Sequence, residues 1–269
     1  MIITDPRIAT PVLYNVRRFL RTAARLLGAG IVVKADPDGY TFGLVFDTHG
    51  VNPSLIPSLG FDTLTDLAHV SLIATAHMVI AASNKSDFTS FAQVLQAAKV
   101  NGKGPSYGTI GAGCLGRLAI SMFARTHGLE FNHVPYKGGG PMVTDLLAGH
   151  VPLGIGSVFL MMPQLDAKGL RPLVLTTTKR SPDLPNVPTI AESGFAGFDA
   201  PAWWGVVAPA KTPPEIVARM NAEISKVLKT PAIAQRLDAQ GIDVVGFSPK
   251  EFGEFVKKQI ELWAKVNLP

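Results

Sequence analysis

The chain has 269 residues, of which 47% are apolar and 17% are charged, and its net charge at pH 7 is +5. This composition is typical of a globular protein with a sizeable core and excludes an intrinsically disordered chain. The sequence has no basic stripe interleaved with aromatic residues and no run of 18 apolar residues, so we expect neither a nucleic-acid partner nor a membrane span.

The chain contains a single cysteine, Cys114, and six histidines. A lone cysteine cannot form an internal disulfide, and the histidines lack HExxH or any similar ligand spacing. We therefore expect no metal ion and no cofactor. Residues 1–11 lack the basic start and the apolar run of a signal peptide, which predicts a cytoplasmic protein if the sequence begins at its native start.

The predicted elements of the first half begin with a basic helix at residues 16–27, which ends at Gly28. An apolar segment at 41–46 predicts a buried strand, and the long apolar run at 70–82 predicts one strand with a bend. Apolar residues at helical spacing predict a helix at 87–99. The segment 101–105 (NGKGP) then indicates a connection between two units.

Strands and helices continue to alternate from residue 106 onwards. The sequence predicts strands at 106–110, 131–134, 151–155, 172–178, 202–208 and 242–245, and helices at 114–127, 160–168, 212–228, 231–240 and 248–263. Residues 212–215 (TPPE) and 248–251 (SPKE) both match the capping box that begins a helix.

This alternation predicts an α/β fold with mainly parallel sheets. The breaks near 101–105 and 208–212 indicate a middle unit inserted between two parts of another. We therefore expect a discontinuous lobe 1 of residues 1–103 and 209–269 and a lobe 2 of residues 104–208, joined by two crossovers. Ligands of such lobes lie at the carboxyl ends of strands, often in the cleft between the lobes.

The central stretch, residues 133–149 (HVPYKGGGPMVTDLLAG), predicts a short strand, a glycine turn and a helix. Gly138, Gly139 and Gly140 would leave backbone N–H groups bare at the helix start, where the ring of a proline fits the first turn. Bare amides at a helix N-terminus favour an anion, and Lys137 lies beside them. The stretch is a candidate seat for a carboxylate or phosphate; the alternative is a tight turn with nothing bound.

A second glycine turn follows the strand at 106–110 and matches GxGxxG. A dinucleotide site would also need an acidic residue at the end of the next strand, but that strand ends near Tyr136 and Lys137. We therefore favour a second anion seat made by backbone amides. Its members are Gly111, Ala112, Gly113 and Cys114.

Cys114 stands at a helix start, where a thiolate is favoured. A nucleophile with His49 or His133 as its base is therefore one alternative. The sequence shows no partner that would orient such a pair. A small side chain that lines a pocket is the simpler interpretation.

Two further pairs are candidates for ligand contact. Thr48 and His49 follow a strand and could donate to a carboxylate, although taken alone they are better explained as an ordinary loop with satisfied polar groups. Trp203 and Trp204 are adjacent in a predicted strand and point to its opposite sides. We expect one of these rings in the core and the other on the wall of the cleft.

Five motifs occur in order between Leu27 and the C-terminus: 36–41 (DPDGYT), 133–138 (HVPYKG), 145–149 (DLLAG), 179–189 (KRSPDLPNVPT) and 205–213 (GVVAPAKTP). As a set, in order and spacing, they resemble the substrate-binding proteins of tripartite tricarboxylate transporters, also called Bug-type receptors. None of the motifs alone would be specific.

The resemblance implies a two-lobed fold like that of periplasmic binding proteins, which closes on a small carboxylate. It also implies a periplasmic location and a cognate membrane permease as partner, and we expect the receptor to be a monomer. By motif, the ligand loops are Thr48, His49, Gly111–Cys114, Tyr136–Gly140 and the segment at Ser157, with Trp203 and Trp204 beside the returning crossover.

The sequence also departs from the family pattern. It has no counterpart of the signal peptide, or of the first strand with its Pro-Phe-x-x-Gly-Gly-like loop, which supplies much of the carboxylate seat. Pro152 and Gly156 stand where the family often has Asp, and Cys114 stands where Ser is common. The alternatives are therefore a degenerate or truncated receptor homologue without a transport role, and an enzyme that uses Cys114 with a histidine.

Overall fold

The structure is a computed structural model that describes residues 2–3, 22–56, 58–99, 104–196 and 198–264. Residues 16–21 of the predicted basic helix and 101–103 of the predicted connection lie outside these ranges. Within them, the strands are β1 (Ile2–Ile3), β2 (Phe42–Phe46), β3 (Leu67–Ala76), β4 (Met78–Ser83), β5 (Ser106–Thr109), β6 (Asn132–Pro135), β7 (Leu153–Ser157), β8 (Leu170–Leu175), β9 (Ala202–Pro209) and β10 (Ile242–Val244).

The helices in the same ranges are α1 (Thr22–Val33), α2 (Thr48–Leu55), α3 (Phe91–Ala98), α4 (Leu115–His127), α5 (Gly139–Ala148), α6 (Val158–Asp166), α7 (Pro214–Leu228), α8 (Pro231–Asp238) and α9 (Pro249–Ala264). Most of them match a helix that the apolar spacing predicts. In the part of the chain that the structure describes, every helix is too short or too polar to cross a membrane.

The described strands form two sheets of five strands each. The first sheet has the order β1-β2-β9-β3-β10, and each of its described pairings is antiparallel. The second sheet has the order β6-β5-β7-β4-β8. In it β5 is parallel to β6 and β7, whereas β4 is antiparallel to β7 and β8.

The prediction of an α/β fold is confirmed, but the prediction of mainly parallel sheets is wrong. Parallel pairing needs a crossover between consecutive strands, usually a helix. In this chain β4 enters the second sheet directly from β3, and β9 re-enters the first sheet from the second, so both strands run against their neighbours. Simple alternation of strands and helices does not show where a chain changes sheets.

The chain changes sheets at His77, which lies between β3 and β4. The prediction of one bent strand at 70–82 is therefore wrong. The apolar run is continuous because both strands are largely buried, so its composition does not mark the break. The chain returns between β8 and β9, and the predicted lobe limits at 103/104 and 208/209 do not coincide with these changes of sheet.

The two predicted capping boxes have different outcomes. Ser248 and Glu251 form one, because the Ser248 N–H and O–H donate to the Glu251 carboxylate at 2.9 and 2.6 Å and the Glu251 N–H donates back to the Ser248 hydroxyl at 3.4 Å. The box predicted at Thr212 is wrong. There Pro213 occupies the cap position of α7, and no side chain caps this helix among the described residues.

The largest hydrophobic cluster joins both sheets and their helices. It combines side chains of the first sheet with side chains of the second, and helix α9 contributes a buried tryptophan. Its members include Val51 (α2), Ala76 (β3), Met78 (β4), Leu115 (α4), Ala202 (β9) and Trp263 (α9). The two sheets therefore share one core at the place where the chain passes between them.

Candidate functional site

Three helices begin at one edge of the second sheet. Because β5, β6 and β7 are parallel, their carboxyl ends lie at the same edge, and α4, α5 and α6 follow them. Each helix N-terminus carries unpaired backbone N–H groups and a partial positive charge. The caps differ: Ser157 caps α6 through its hydroxyl, whereas no described side-chain hydrogen bond caps α4 or α5.

The turn before α4 is organised by Thr109, the last residue of β5. Its buried hydroxyl donates to the Gly111 carbonyl at 3.0 Å and lies 2.7 Å from His133 Nε2. Gly111 has a φ of 156°. The Arg117 guanidinium donates to the Ala112 carbonyl at 2.9 Å. These contacts turn the carbonyls of the loop toward protein donors and fix the loop around the start of α4.

The turn before α5 has the backbone that its glycines predict. Gly138 has a φ of 117° and a ψ of 179°, a conformation that is essentially restricted to glycine. A Cβ atom added at Gly138 or Gly140 would meet no atom within 4 Å, whereas one at Gly139 would lie 2.6 Å from the Leu160 side chain. Two of the three glycines therefore border open space, and Lys137 beside them is exposed.

Tyr136 ties the two glycine turns together. Its backbone N–H donates to the Thr109 carbonyl at 2.9 Å, and its ring packs over Gly108. Burial raises the pKa of Tyr136, and the Asp145 carboxylate raises it further. The ring thus bridges the end of β5 and helix α5. We call residues 111–114 and 136–140, which share this edge, the amide wall.

Ser157 is half-buried at the end of β7. Its hydroxyl accepts the Leu160 N–H at 3.3 Å, which makes it the cap of α6. Leu160 in turn packs against Gly139 and Gly156. Ser157 therefore lies at the edge that carries the amide wall, and its hydroxyl oxygen already accepts one hydrogen bond within its own helix.

The Cys114 thiol is buried, and burial is the main reason why its pKa is raised. The nearby N–H groups of Arg117 and Gly116 act in the opposite direction, and the charge of Asp47 raises the pKa further. His133 is hydrogen-bonded to Thr109 instead of the thiol. A thiol with a raised pKa is protonated at neutral pH, which argues against a nucleophile.

The residues predicted on the first-sheet side are enclosed. Thr48 and His49 begin α2 and are only 8% and 4% exposed. Burial, and then the neighbouring His69, lowers the pKa of His49 to about 3, so its ring is neutral at pH 7. His49 Nε2 has no hydrogen-bond partner within the described ranges. In this conformation both side chains are almost fully enclosed by protein.

Trp203 is the core member of the tryptophan pair. It is 1% exposed, its ring meets Phe252 and Phe255 edge to face, and its Nε1 has no partner among the residues described. Trp204 is half-buried against the core that joins the sheets. The prediction of Trp203 as a ligand contact is therefore not supported by its position, because helix α9 covers the ring.

Asp47 is the residue of this region that the sequence analysis did not select. Its N–H donates to the Trp203 carbonyl at 3.1 Å, and its charge acts on the Cys114 thiol across the two sheets. The start of α2 therefore lies near the start of α4. We call residues 47–50 and Trp203 the side-chain wall. The sequence feature that indicates Asp47 is its position directly after β2 and directly before α2.

A cavity of about 330 Å³ lies elsewhere, between the C-terminal end of α2, the segment 58–64 and Ile260 of α9. None of the predicted ligand residues lines it. Thr63, at its edge, is buried with a hydroxyl that has no partner in the described part of the chain. Among the described residues, no three His, Cys, Asp or Glu side chains are grouped so that they could hold a metal ion.

A two-lobed α/β fold with helix N-termini gathered at one sheet edge is typical of solute-binding receptors, although the fold alone does not establish that function. The sequence pattern of the family described as "Tripartite tricarboxylate transporter family receptor" matches residues 7–267. The chain belongs to this family, as the five motifs predict. Solved relatives with the same fold include a protein described as a periplasmic transporter and the periplasmic binding protein BugD.

Three relatives illustrate the match. The "UPF0065 protein in tcbD-tcbE intergenic region" of Pseudomonas sp. (strain P51) is 36% identical over 247 residues, 90% of this chain and 72% of the relative. The structure of R. palustris Rpa4515 with adipate is 34% identical, with a TM-score of 0.82 over 90% of this chain and 82% of that one. MatC (Rpa3494) from Rhodopseudomonas palustris with bound malate is 26% identical, with a TM-score of 0.79 over 91% and 84%.

Proposed function

We propose that the protein is a receptor that captures a small carboxylate between its two lobes. The observation that carries the proposal is the amide wall, where α4 and α5 begin side by side without a described side-chain cap. Such N-termini bind anions through backbone N–H groups and the helix dipole. The open space beside Gly113, Gly138 and Gly140 gives an anion access to these groups.

The relatives support a dicarboxylate as the first class to test. Rpa4515 was solved with adipate and MatC with malate. Adipate and malate are both dicarboxylates. We propose that one carboxylate of the ligand lies on the amide wall. Lys137, which is exposed beside Gly138, adds long-range attraction for the anion.

The remaining features of a transport receptor are part of the same proposal. We propose that the lobes close on the ligand as rigid bodies, with limits where the chain passes between the two sheets, at His77 and between β8 and β9. We further propose that the loaded receptor delivers its ligand to a cognate membrane permease from the periplasm as a monomer. Family membership supports this role. No catalytic step is proposed for Cys114, because its thiol is buried and its pKa is raised.

Calorimetric titration with adipate, malate and citrate tests the proposal, and Gly113→Asp with Gly113→Asn provides the matched pair. A Cβ at Gly113 meets no atom within 4 Å, so both variants are expected to fold. They have nearly equal size, but only Asp places a negative charge on the amide wall.

We expect Gly113→Asp to weaken carboxylate binding at least about tenfold relative to Gly113→Asn, which corresponds to about 1.4 kcal/mol. Equal affinities of the two variants would argue against the amide wall as the anion seat. A folded parent protein that binds no member of the panel would instead support a receptor homologue that has lost its ligand.

A further inference from the structure

His77 occupies the passage between the sheets. It lies between β3 of the first sheet and β4 of the second, and its carbonyl accepts the N–H of Val158, the first residue of α6, at 2.8 Å. Its ring is mostly enclosed, with 12% of the side chain exposed. A titratable side chain at the passage between two lobes can respond to their relative position.

One ring nitrogen of His77 has a defined role. Nδ1 lies 2.6 Å from the hydroxyl of Thr177, which follows β8 where the chain leaves the second sheet. That hydroxyl donates its own hydrogen to the Lys179 carbonyl at 3.0 Å. Because a hydroxyl has one hydrogen to donate, it must accept from Nδ1. We therefore assign the proton of the neutral ring to Nδ1.

The other ring nitrogen faces the first sheet. Nε2 lies 3.5 Å from Oδ2 of Asp243, a residue of the edge strand β10. In the neutral ring Nε2 carries a lone pair, which repels the carboxylate oxygen. In the protonated ring the same nitrogen donates to Asp243 as an ion pair. The contact between His77 and the first sheet thus depends on one proton.

The charged groups around this contact are carboxylates from several elements. Asp199 and Asp183 come from the segment between β8 and β9, and both raise the pKa of His77 together with Asp243, although burial outweighs them and lowers it. The pKa of Asp183 is itself raised by three further carboxylates, which are Asp238 of α8, Asp243 of β10 and Asp166 of α6.

Carboxylates of both sheets therefore meet at the passage, and their mutual repulsion raises the pKa of Asp183 in addition to the effect of burial. The charge of protonated His77 lowers the pKa of Asp183 and of Asp199. A proton on His77 therefore adds an attraction between the sheets that opposes the repulsion among these carboxylates.

We propose that His77 is a positioning residue that joins the two lobes in a pH-dependent way, held to the second sheet by Thr177 at all times and to the first sheet by Asp243 only when protonated. The joint narrows the range of lobe orientations at pH values below the pKa of His77. This inference extends the proposed receptor function. Its tests use the protein without ligand, so a failure of ligand binding would not contradict it.

Nitrogen NMR of the imidazole rings tests the tautomer. At pH 7.5 we expect the neutral His77 ring to carry its proton on Nδ1, and we expect Asp243→Asn to lower the pKa of His77 because a negative charge is removed. Asp243 is 51% exposed, so this variant is expected to fold. A proton on Nε2 of the neutral ring, or an unchanged titration in Asp243→Asn, would overturn the assignment.

Distance measurements between spin labels at Arg125→Cys, on α4, and Lys229→Cys, at the end of α7, test the joint itself. Both residues are exposed; Cys114 is buried, and the parent chain serves to check that it stays unlabelled. We expect the distance distribution to be narrower at pH 5.0 than at pH 7.5, and we expect Asp243→Asn and His77→Gln to abolish this difference.

His150→Gln is the matched control. His150 makes a similar contact with Asp145 at 3.4 Å, but both residues lie on the second-sheet side of the chain and are exposed. His49 and His69, whose pKa values burial lowers to about 3 and about 4, stay neutral over the same pH range. A pH effect that persists in Asp243→Asn, or that disappears in His150→Gln, would overturn the proposal.

Discussion

The two walls that meet at the candidate site use polar groups in opposite ways. The amide wall offers backbone N–H groups at two helix starts, beside glycines that border open space. The side-chain wall contains His49 and Trp203, whose polar ring nitrogens are buried without a described partner. An unpaired buried polar group costs about 1–3 kcal/mol.

This difference shows which wall can hold an anion in the conformation described. Backbone amides at a helix start need no side chain, so any sequence with the right turn supplies them. On the opposite wall the ring of Trp203 is instead enclosed beneath α9, as its contacts with Phe252 and Phe255 show. Stability should therefore depend on the side-chain wall, and anion affinity on the amide wall.

The largest expected effect belongs to the side-chain wall. Trp203→Ala should lower the free energy of unfolding by about 3–5 kcal/mol, because a fully buried ring leaves a cavity. Chemical denaturation measures this loss. Trp204→Ala is the matched control and should cost less, since Trp204 is only half-buried. A stable Trp203→Ala variant that lost only ligand affinity would reverse the roles of the two walls.

Acid should destabilise the protein through His49. Its pKa is about 3 in the folded state and 6.5 ordinarily, so between these values the unfolded chain binds more protons. The contribution of His49 to the free energy of unfolding is fully present above about pH 6.5. It falls as the pH drops toward 3, by up to about 1.4 kcal/mol per pH unit. Denaturation at several pH values should show a shallower slope in His49→Leu, and an unchanged slope would contradict burial of a neutral ring. His150→Leu, at an exposed histidine, is the control.

Gly138→Ala tests the amide wall with an intermediate effect. The backbone at Gly138 is one that other residues adopt at a cost of about 1–3 kcal/mol, so the turn should shift and carboxylate affinity should fall. Calorimetry and denaturation measure the two effects. Gly30→Ala, in α1 and with no atom within 4 Å of the added Cβ, should leave affinity unchanged. Parent-like binding by Gly138→Ala would remove this turn from the site.

The smallest expected effect concerns Cys114. Because the thiol is buried and its pKa is raised, an aromatic disulfide reagent should react slowly with the native protein at pH 7 and rapidly after unfolding. Absorbance of the released thiolate follows both reactions. Fast native labelling would revive the interpretation of Cys114 as a nucleophile.

The sequence predicts the turns better than the walls. Gly138 and the Ser248 box depend on chemistry within a few residues, and both have the predicted geometry. The box at Thr212 fails because Pro213 takes over the cap position. Local patterns such as these predict the structure correctly where no neighbouring residue competes for the same position.

Features that depend on distant contacts were not predictable in the same way. Strand alternation shows that Trp203 and Trp204 face opposite sides, but it does not show that α9 covers the first of them. The burial of His49 likewise depends on elements that are far away in the sequence, and the change of sheet at His77 is hidden in a continuous apolar run. The positions of these residues are determined by packing between distant elements, which cannot be read from a single sequence.

Helix α9 has a consequence for the order in which the chain matures. Trp263 completes the core that joins the sheets, and Phe252 and Val256 complete a second core on the first sheet. These residues are synthesised after every described strand that they cover, so neither core can close before α9 has left the ribosome. The strands of both sheets therefore stay without this covering helix until α9 has been synthesised.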